Sequence, residues 1–324
     1  MQASAEKNWG PNPMSPIIQV SGLTKSFKEL QAVNDLTFNV YPADIYGFLG
    51  QNGAGKSTTL RMLLTLITPT AGDIVIFGMN LRTHRHDILR RVGAVIERPD
   101  LYKYLTAWEN LSLFARMSGI RPDRRRLLDQ LELVGLADRA HSTVKTFSQG
   151  MKQRLGIATA LVHDPDLVIL DEPTNGLDPQ GIADIRNLIL HLSNHRKKTV
   201  LVSSHLLSEM ELIAGRMLII DKGKKIIEGR VDELFDPAQT IVELDTTDAA
   251  FTAEKLNQSP WSSFFRERRG NKFLLKMDRT QVPLFIRDMV QLGVGVAAIQ
   301  PRHSLEDYFL TLTTANQHVD TFTD

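Results

Sequence analysis

Cysteine is missing from all 324 residues. Disulfide scaffolds, thiolate metal sites and cysteine nucleophiles are excluded with it, and the absence fits a reducing compartment. A surplus of charge is missing too. Thirty-eight lysines and arginines face 37 acidic residues, for a formal net charge of +1. A strongly polyanion-seeking protein is thereby excluded, and no nucleic-acid partner is expected. Long apolar runs are also lacking. The longest, such as residues 62–67 and 217–220, fall far below the ~18–20 residues that a bilayer-crossing helix needs. The opening MQASAEKNWGPNPMSP has no apolar core segment, so a secretory signal is not expected. Its Pro11, Pro13 and Pro16 read as a flexible tail over residues 1–16.

What is there is an ordinary globular composition, 42% hydrophobic and 23% charged, long enough for two domains. IIQV (17–20) and LTFNV (36–40) read as strands, and IYGFLG (45–50) is an apolar run ending in glycine. STTLRMLLTL (57–66) has leucines spaced for one buried helical face. GDIVIFG (72–78) is a strand between glycines, and residues 107–165 carry helical periodicity. DLVILDEP (166–173) and TVLVSSH (199–205) are continuous apolar strands with polar ends. Runs buried on both faces imply a sheet covered by helices, hence an α/β fold. Near residues 228–240 the text changes to a short helix and a linker. Beyond it TIVELD, a helix at 248–257, KFLLKMD, PLFIRDMVQLG and VGVAAIQ alternate β and α. Residues 240–324 are therefore expected to form a small second α/β domain.

GQNGAGKST (50–58) matches G-x-x-x-x-G-K-[ST] between a strand and a helix, the context that separates a phosphate-binding loop from an incidental glycine-rich turn. Gly50, Gly53 and Gly55 permit backbone that side chains would obstruct, and the loop's amides and helix N-terminus favour phosphate. Gln51, Asn52, Ala54 and Thr58 complete the loop as candidate contacts. Lys56 can reach the β- and γ-phosphates of a nucleoside triphosphate, and the Ser57 hydroxyl can ligate Mg²⁺. Asp171, at the end of an apolar strand, offers a hard oxygen to the magnesium shell, and Glu172 could take a proton from an attacking water.

Between these motifs stands FSQGMKQR (147–154), which resembles the LSGGQ-type signature of ABC transporter ATPases and places Ser148 23 residues before Asp171. NGLDP (175–179) resembles the family's D-loop and carries Asp178, a candidate nucleotide contact. His205 resembles its switch histidine, and Phe27 the aromatic that stacks on adenine. The likeness covers about residues 17–235. It implies a P-loop, RecA-like core with an antiparallel β subdomain and a helical subdomain near residues 98–160, followed by the small α/β domain. It also implies ATP with Mg²⁺ as ligands, and Glu172, His205 and Lys56 as catalytic groups. In such proteins two nucleotide-binding subunits sandwich ATP head to tail, so Ser148 and Gly150 would act across a dimer, expected to be a homodimer. An integral membrane permease would dock on residues 97–116, bounded by Glu97 and Arg116. The chain would sit peripherally on the cytoplasmic face of the inner or plasma membrane, held by that permease.

The likeness has departures. Phe147, Gln149 and Met151 replace the usual signature residues. Glu97 stands where most members have the glutamine of the Q-loop, a substitution that resembles the bacitracin- and lantibiotic-resistance type. Glutamate keeps an oxygen, so Glu97 joins Ser57 and Asp171 as a candidate metal contact. SLEDYFLTLT (304–313) resembles the end of ATPase subunits that serve ABC-2-type exporters. The alternative class is a soluble ATPase of the same family acting on nucleic acid or ribosomes. Its members carry long coiled coils or two ATPase domains, and neither is found here. His84 and His86 are expected in an exposed loop, and the arginine run 124–126 at a solvated helix start.

Overall fold

A computed structural model describes residues 15–28, 30–234 and 240–303. Most of the expected N-terminal tail and the segment 304–313 lie outside the described residues. The chain divides into two compact units, Met1–Gly229 and Arg230–Asp324.

The first unit opens with β1 (Ile18–Phe27) and β2 (Leu30–Val40), then β3 (Ile45–Leu49) and α1 (Lys56–Leu63). β4 (Ala71–Ile76), β5 (Met79–Asn80), α2 (Arg85–Leu89) and β6 (Val92–Val95) follow. Three helices come next: α3 (Ala107–Met117), α4 (Arg124–Leu133) and α5 (Gln149–Leu161). β7 (Leu167–Asp171), α6 (Pro179–Asn194), β8 (Thr199–Ser204), α7 (Leu207–Glu211), β9 (Arg216–Asp221) and β10 (Lys224–Arg230) complete it.

These strands form two sheets. β2-β1-β4-β5 is antiparallel, and β1 and β2 alternate buried with exposed positions as strands with one wet face do. The second sheet runs β10-β9-β3-β8-β7-β6. β3 is parallel to β9 and β8, and β7 is parallel to β8 and β6. Every residue of β3, β7 and β8 is buried, which requires cover on both faces. Parallel strands all present their C-terminal ends at one edge. There the register pairs Leu49 with Ser204 and Asp171 with Ser203. Gly50, Glu172 and His205 thus leave adjoining strands at the same level, where open α/β sheets bind ligands.

The helices start where local chemistry dictates. Thr106 and Glu109 form a reciprocal capping box on α3, Asp123 caps α4 and Ser148 caps α5. Helix α1 ends sooner than its leucine spacing predicts, because Thr65 turns left-handed with φ 58°. His84 caps the short α2 and His86 lies within it, so the expected loop is a helical turn, although both side chains are exposed.

The second unit holds α8 (Val231–Leu234), β11 (Thr240–Thr246), α9 (Ala249–Asn257), β12 (Phe265–Arg269), β13 (Lys272–Met277), α10 (Val282–Gln291) and β14 (Val296–His303). Its antiparallel sheet runs β12-β13-β11-β14. Phe273, Leu275, Phe285 and Met289 form its core with Trp261, whose indole N–H donates to Asp288 at 3.1 Å.

Candidate functional site

The loop between β3 and α1 is shaped by backbone contact. A Cβ on Gly55 would stand 2.5 Å from the Ala32 carbonyl, and its φ of 105° is closed to ordinary side chains. A Cβ on Gly50 would stand 2.6 Å from the Ile220 carbonyl. Gly55 caps α1 and no side chain bonds to the helix's first amides, so they remain available to an anion. Gln51 is half-buried, Asn52 and Gly53 are exposed, Ala54 is buried, and Ser57 and Thr58 are half-buried. Lys56 is buried, and its ammonium donates to the carbonyls of Gly50 at 2.6 Å and Gln51 at 3.1 Å.

Lys56 Nζ also lies 3.1 Å from Glu172 Oε1, at ion-pair distance but out of hydrogen-bond alignment. The other carboxylate oxygen of Glu172 meets His205 Nδ1 at 2.8 Å. Glu172 adopts φ 48°, which a non-glycine residue enters only when its surroundings hold it there. Ser203 provides part of that hold. Its hydroxyl accepts from the Glu172 amide at 2.9 Å and donates to Asp171 Oδ1 at 2.5 Å. Asp171 is 1% exposed, and its Oδ2 has no hydrogen-bond partner.

A cavity of about 300 Å³ gathers Ser57, Glu97, Arg98, Gln149, Gln153, Asp171, Glu172, Asn175 and Gly176. It brings Ser57, Asp171, Glu172 and Glu97 together, with Lys56 and His205 against Glu172. Glu97 is exposed and ion-paired to Arg61 of α1. Among the described residues no three His, Asp or Glu gather as a metal cage. The orphaned Asp171 oxygen beside Ser57 still suits a hard divalent cation held mainly by substrate phosphate and water, as magnesium often is.

Phe27, Ser148, Gly150 and Asp178 do not line that cavity. Phe27 ends β1, 44% exposed, with Lys25 Nζ 4.9 Å from its ring centre. The Ser148 hydroxyl is exposed and accepts from Met151 N, which leaves its own hydrogen free to donate. Gly150 is half-buried beside Leu177, and Asp178 accepts from Gly181 N at 3.0 Å to cap α6. Ser203, Gln153 and Arg61 belong to the site surroundings although sequence reading passed over them. The only signal for Ser203 is a hydroxyl pair interrupting an apolar strand just before His205.

An ABC transporter family profile matches residues 33–175. The uncharacterised ABC transporter ATP-binding protein YhcH of Bacillus subtilis is 40% identical over 304 residues, 93% of this chain and 97% of its own length. The bacitracin transport ATP-binding protein BcrA of Bacillus licheniformis is 42% identical over 301 residues, 92% of this chain and 98% of its length. Among solved structures, the dimeric post-hydrolysis state of the ATP-binding cassette MJ0796 with ADP and Pi aligns with a TM-score of 0.60. It is 26% identical and covers 66% of this chain and 98% of that one.

Proposed function

The chain belongs to the ABC transporter ATP-binding family, and from that premise we propose that it hydrolyses ATP to power a membrane exporter of the ABC-2 type. The observation that carries the reading is the meeting of Lys56, Asp171, Glu172 and His205 at the ends of three adjacent parallel strands. Lys56 and the first amides of α1 bind the phosphates. Glu172 takes the proton of the attacking water, and His205 orients Glu172 and the transferring phosphoryl group. Ser57 and Asp171 hold Mg²⁺, with Glu97 as a further oxygen at the rim. The ion supplies charge neutralisation on the phosphates.

One chain holds half of what the reaction needs. Ser148 and Gly150 lie outside its own cavity, and their free donors serve the γ-phosphate of a second copy across a homodimer. Phe27 stacks on the adenine, and Asp178 sets the loop beside the dimer contact. No described helix is long and apolar enough to cross a membrane. We assign the membrane-spanning work to a permease, which docks on residues 97–116 and holds this subunit at the cytoplasmic face. The bacitracin transport relative supports an exporter. Residues 240–324 form an accessory domain that aids assembly or regulation.

The test is copurification and coupled activity. The tagged chain should bring down a protein with about six transmembrane helices encoded beside its gene. Reconstituted together, the pair should hydrolyse ATP faster than the chain alone. Active ATP hydrolysis with recovery on ribosomes or DNA instead of a membrane protein would overturn the exporter.

A further inference from the structure

The end of β8 carries two buried serines. Ser203 is committed to Asp171 and Glu172. Ser204 enters a second set of bonds that the reaction described above does not use. Its hydroxyl accepts from Leu206 N at 3.0 Å and donates to Glu209 Oε2 at 3.3 Å. The same Glu209 oxygen accepts from the Thr174 hydroxyl at 2.7 Å. Glu209 sits on α7, just after His205, and Thr174 lies two residues past Glu172. One carboxylate oxygen thus ties the segment leaving Glu172 to the strand end that carries His205.

Glu172 needs such a tie. Its left-handed backbone is costly and persists only when several restraints agree. Ser203 and His205 fix residue 172 itself. Pro173 is buried behind it, and Asn175 and Gly176 beyond are exposed. Thr174 anchors the segment through its side chain, while the backbone beyond is turned by Asn175 N, which donates to the Glu172 carbonyl at 3.2 Å. An apolar hollow of about 260 Å³ adjoins the tie, with Ile182, Ile189, Leu206 and Leu212 in its walls. Low polarity there strengthens the hydrogen bonds and raises the penalty for losing one partner.

We propose that Glu209 is a positioning residue for ATP hydrolysis, acting through Thr174 and Ser204 to set Glu172 for the attacking water. This rests on the ATPase reading above. Glu209 does not line the cavity that holds Ser57, Asp171 and Glu172, so its loss lowers kcat and leaves the KM for ATP nearly unchanged. Both bonds end on a single oxygen. A glutamine amide oxygen can therefore replace it, whereas alanine cannot.

The test uses the full-length protein with Mg²⁺ and ATP. Glu209→Ala and Thr174→Val should each lower kcat about tenfold, with KM within about twofold of wild type. Glu209→Gln should keep at least about half of kcat, and the Ala/Val double variant should lose no more than the worse single one. A full kcat for Glu209→Ala, multiplicative losses, or a Gln variant as slow as the Ala variant would overturn the proposal. A second readout is independent of turnover. The ring ¹⁵N signal of His205, assigned through His205→Gln, should move in Glu209→Ala and Thr174→Val but stay in place in Glu209→Gln. An unmoved signal in all three counts against Glu209. A wild-type chain that fails to hydrolyse ATP would sink the ATPase reading alone, and the His205 signal would still judge the tie.

Discussion

Lys56 and Glu172 stand 3.1 Å apart, nitrogen to carboxylate oxygen, although 116 residues separate them in the chain. The lysine of the phosphate loop and the carboxylate at the end of β7 are therefore each other's counter-ions. On the proposed mechanism, a bound phosphate draws Lys56 toward a new anion and releases one oxygen of Glu172. The other oxygen keeps its contact with His205. On that mechanism, arrival of ATP and preparation of the base are one rearrangement of charges.

Lys56→Ala should abolish hydrolysis and weaken ATP binding by at least about tenfold. A charge-assisted contact contributes about 1.5–3 kcal/mol, and tenfold corresponds to about 1.4 kcal/mol. The change also strips a mostly buried Glu172 of its cation. Titration with a fluorescent ATP analogue checks this. Wild-type affinity in a folded variant would refute the assignment of the loop.

Glu172→Gln should have the opposite effect on binding. The amide carries no charge to hold Lys56, so ATP affinity should stay level or rise while turnover falls at least about 100-fold, the scale on which a lost general base is felt. Size-exclusion chromatography with ATP and Mg²⁺ should then show a dimer. A strict monomer with undiminished hydrolysis would refute both the base and the sandwich.

The sequence made this site legible where chemistry demands fixed spacing. Phosphate chemistry dictates the positions of Gly55 and Lys56 in the loop, and an apolar strand that stops at two acids exposes Asp171 and Glu172. Ser203 and Glu209 were not legible. Each is a single polar residue whose importance lies in a partner elsewhere in the fold, as with Ser203 and Asp171, or Glu209 and Thr174. In the second unit β12 escaped notice for a different reason. Four of its five residues are charged, which erases any apolar alternation, and it exists through pairing with β13 at the sheet edge.

Stability should fall with acid in a way that traces to His163. Its Nε2 lies 3.1 Å from the Val92 carbonyl, and Nδ1 is buried with no partner. Burial holds its pKa below the usual 6.5 against the hydrogen bond to Val92, which raises it; Arg126 and Lys198 push down as burial does, and Asp164 opposes. The folded chain thus binds fewer protons here than the unfolded chain, and stability rises with pH across that interval. The full contribution is present above about pH 6.5 and is lost as pH falls through the folded value. Melting scans from pH 7.5 to 5.5 should show a smaller loss for His163→Gln than for wild type. Equal losses would clear His163 of any role.

The last prediction separates a docking surface from the device that presents it. Tyr102 and Tyr104 are 52% and 71% exposed, unusual for residues with so much apolar surface. Beneath them Asn110 is fully buried. It accepts from Tyr102 N at 2.8 Å and donates to the Tyr102 and Thr106 carbonyls at 3.0 and 2.9 Å. Asn110 contacts no solvent, so its part in docking can only be to hold the turn that displays the tyrosines. Tyr104→Ala removes exposed surface and leaves every one of those bonds in place. It should keep the melting temperature and basal ATPase while losing the permease, since an aromatic anchor at an interface is worth about 2 kcal/mol or more. Asn110→Ala leaves the Tyr102 amide without its partner, while the Tyr102 and Thr106 carbonyls keep the backbone donors Leu105 N and Asn110 N; one buried group left unsatisfied costs about 1–3 kcal/mol. It should lower the melting temperature as well as the yield of complex. Copurification and thermal unfolding of both variants decide the matter. A Tyr104→Ala protein that melts normally and still recovers the whole complex would move the docking site off residues 97–116.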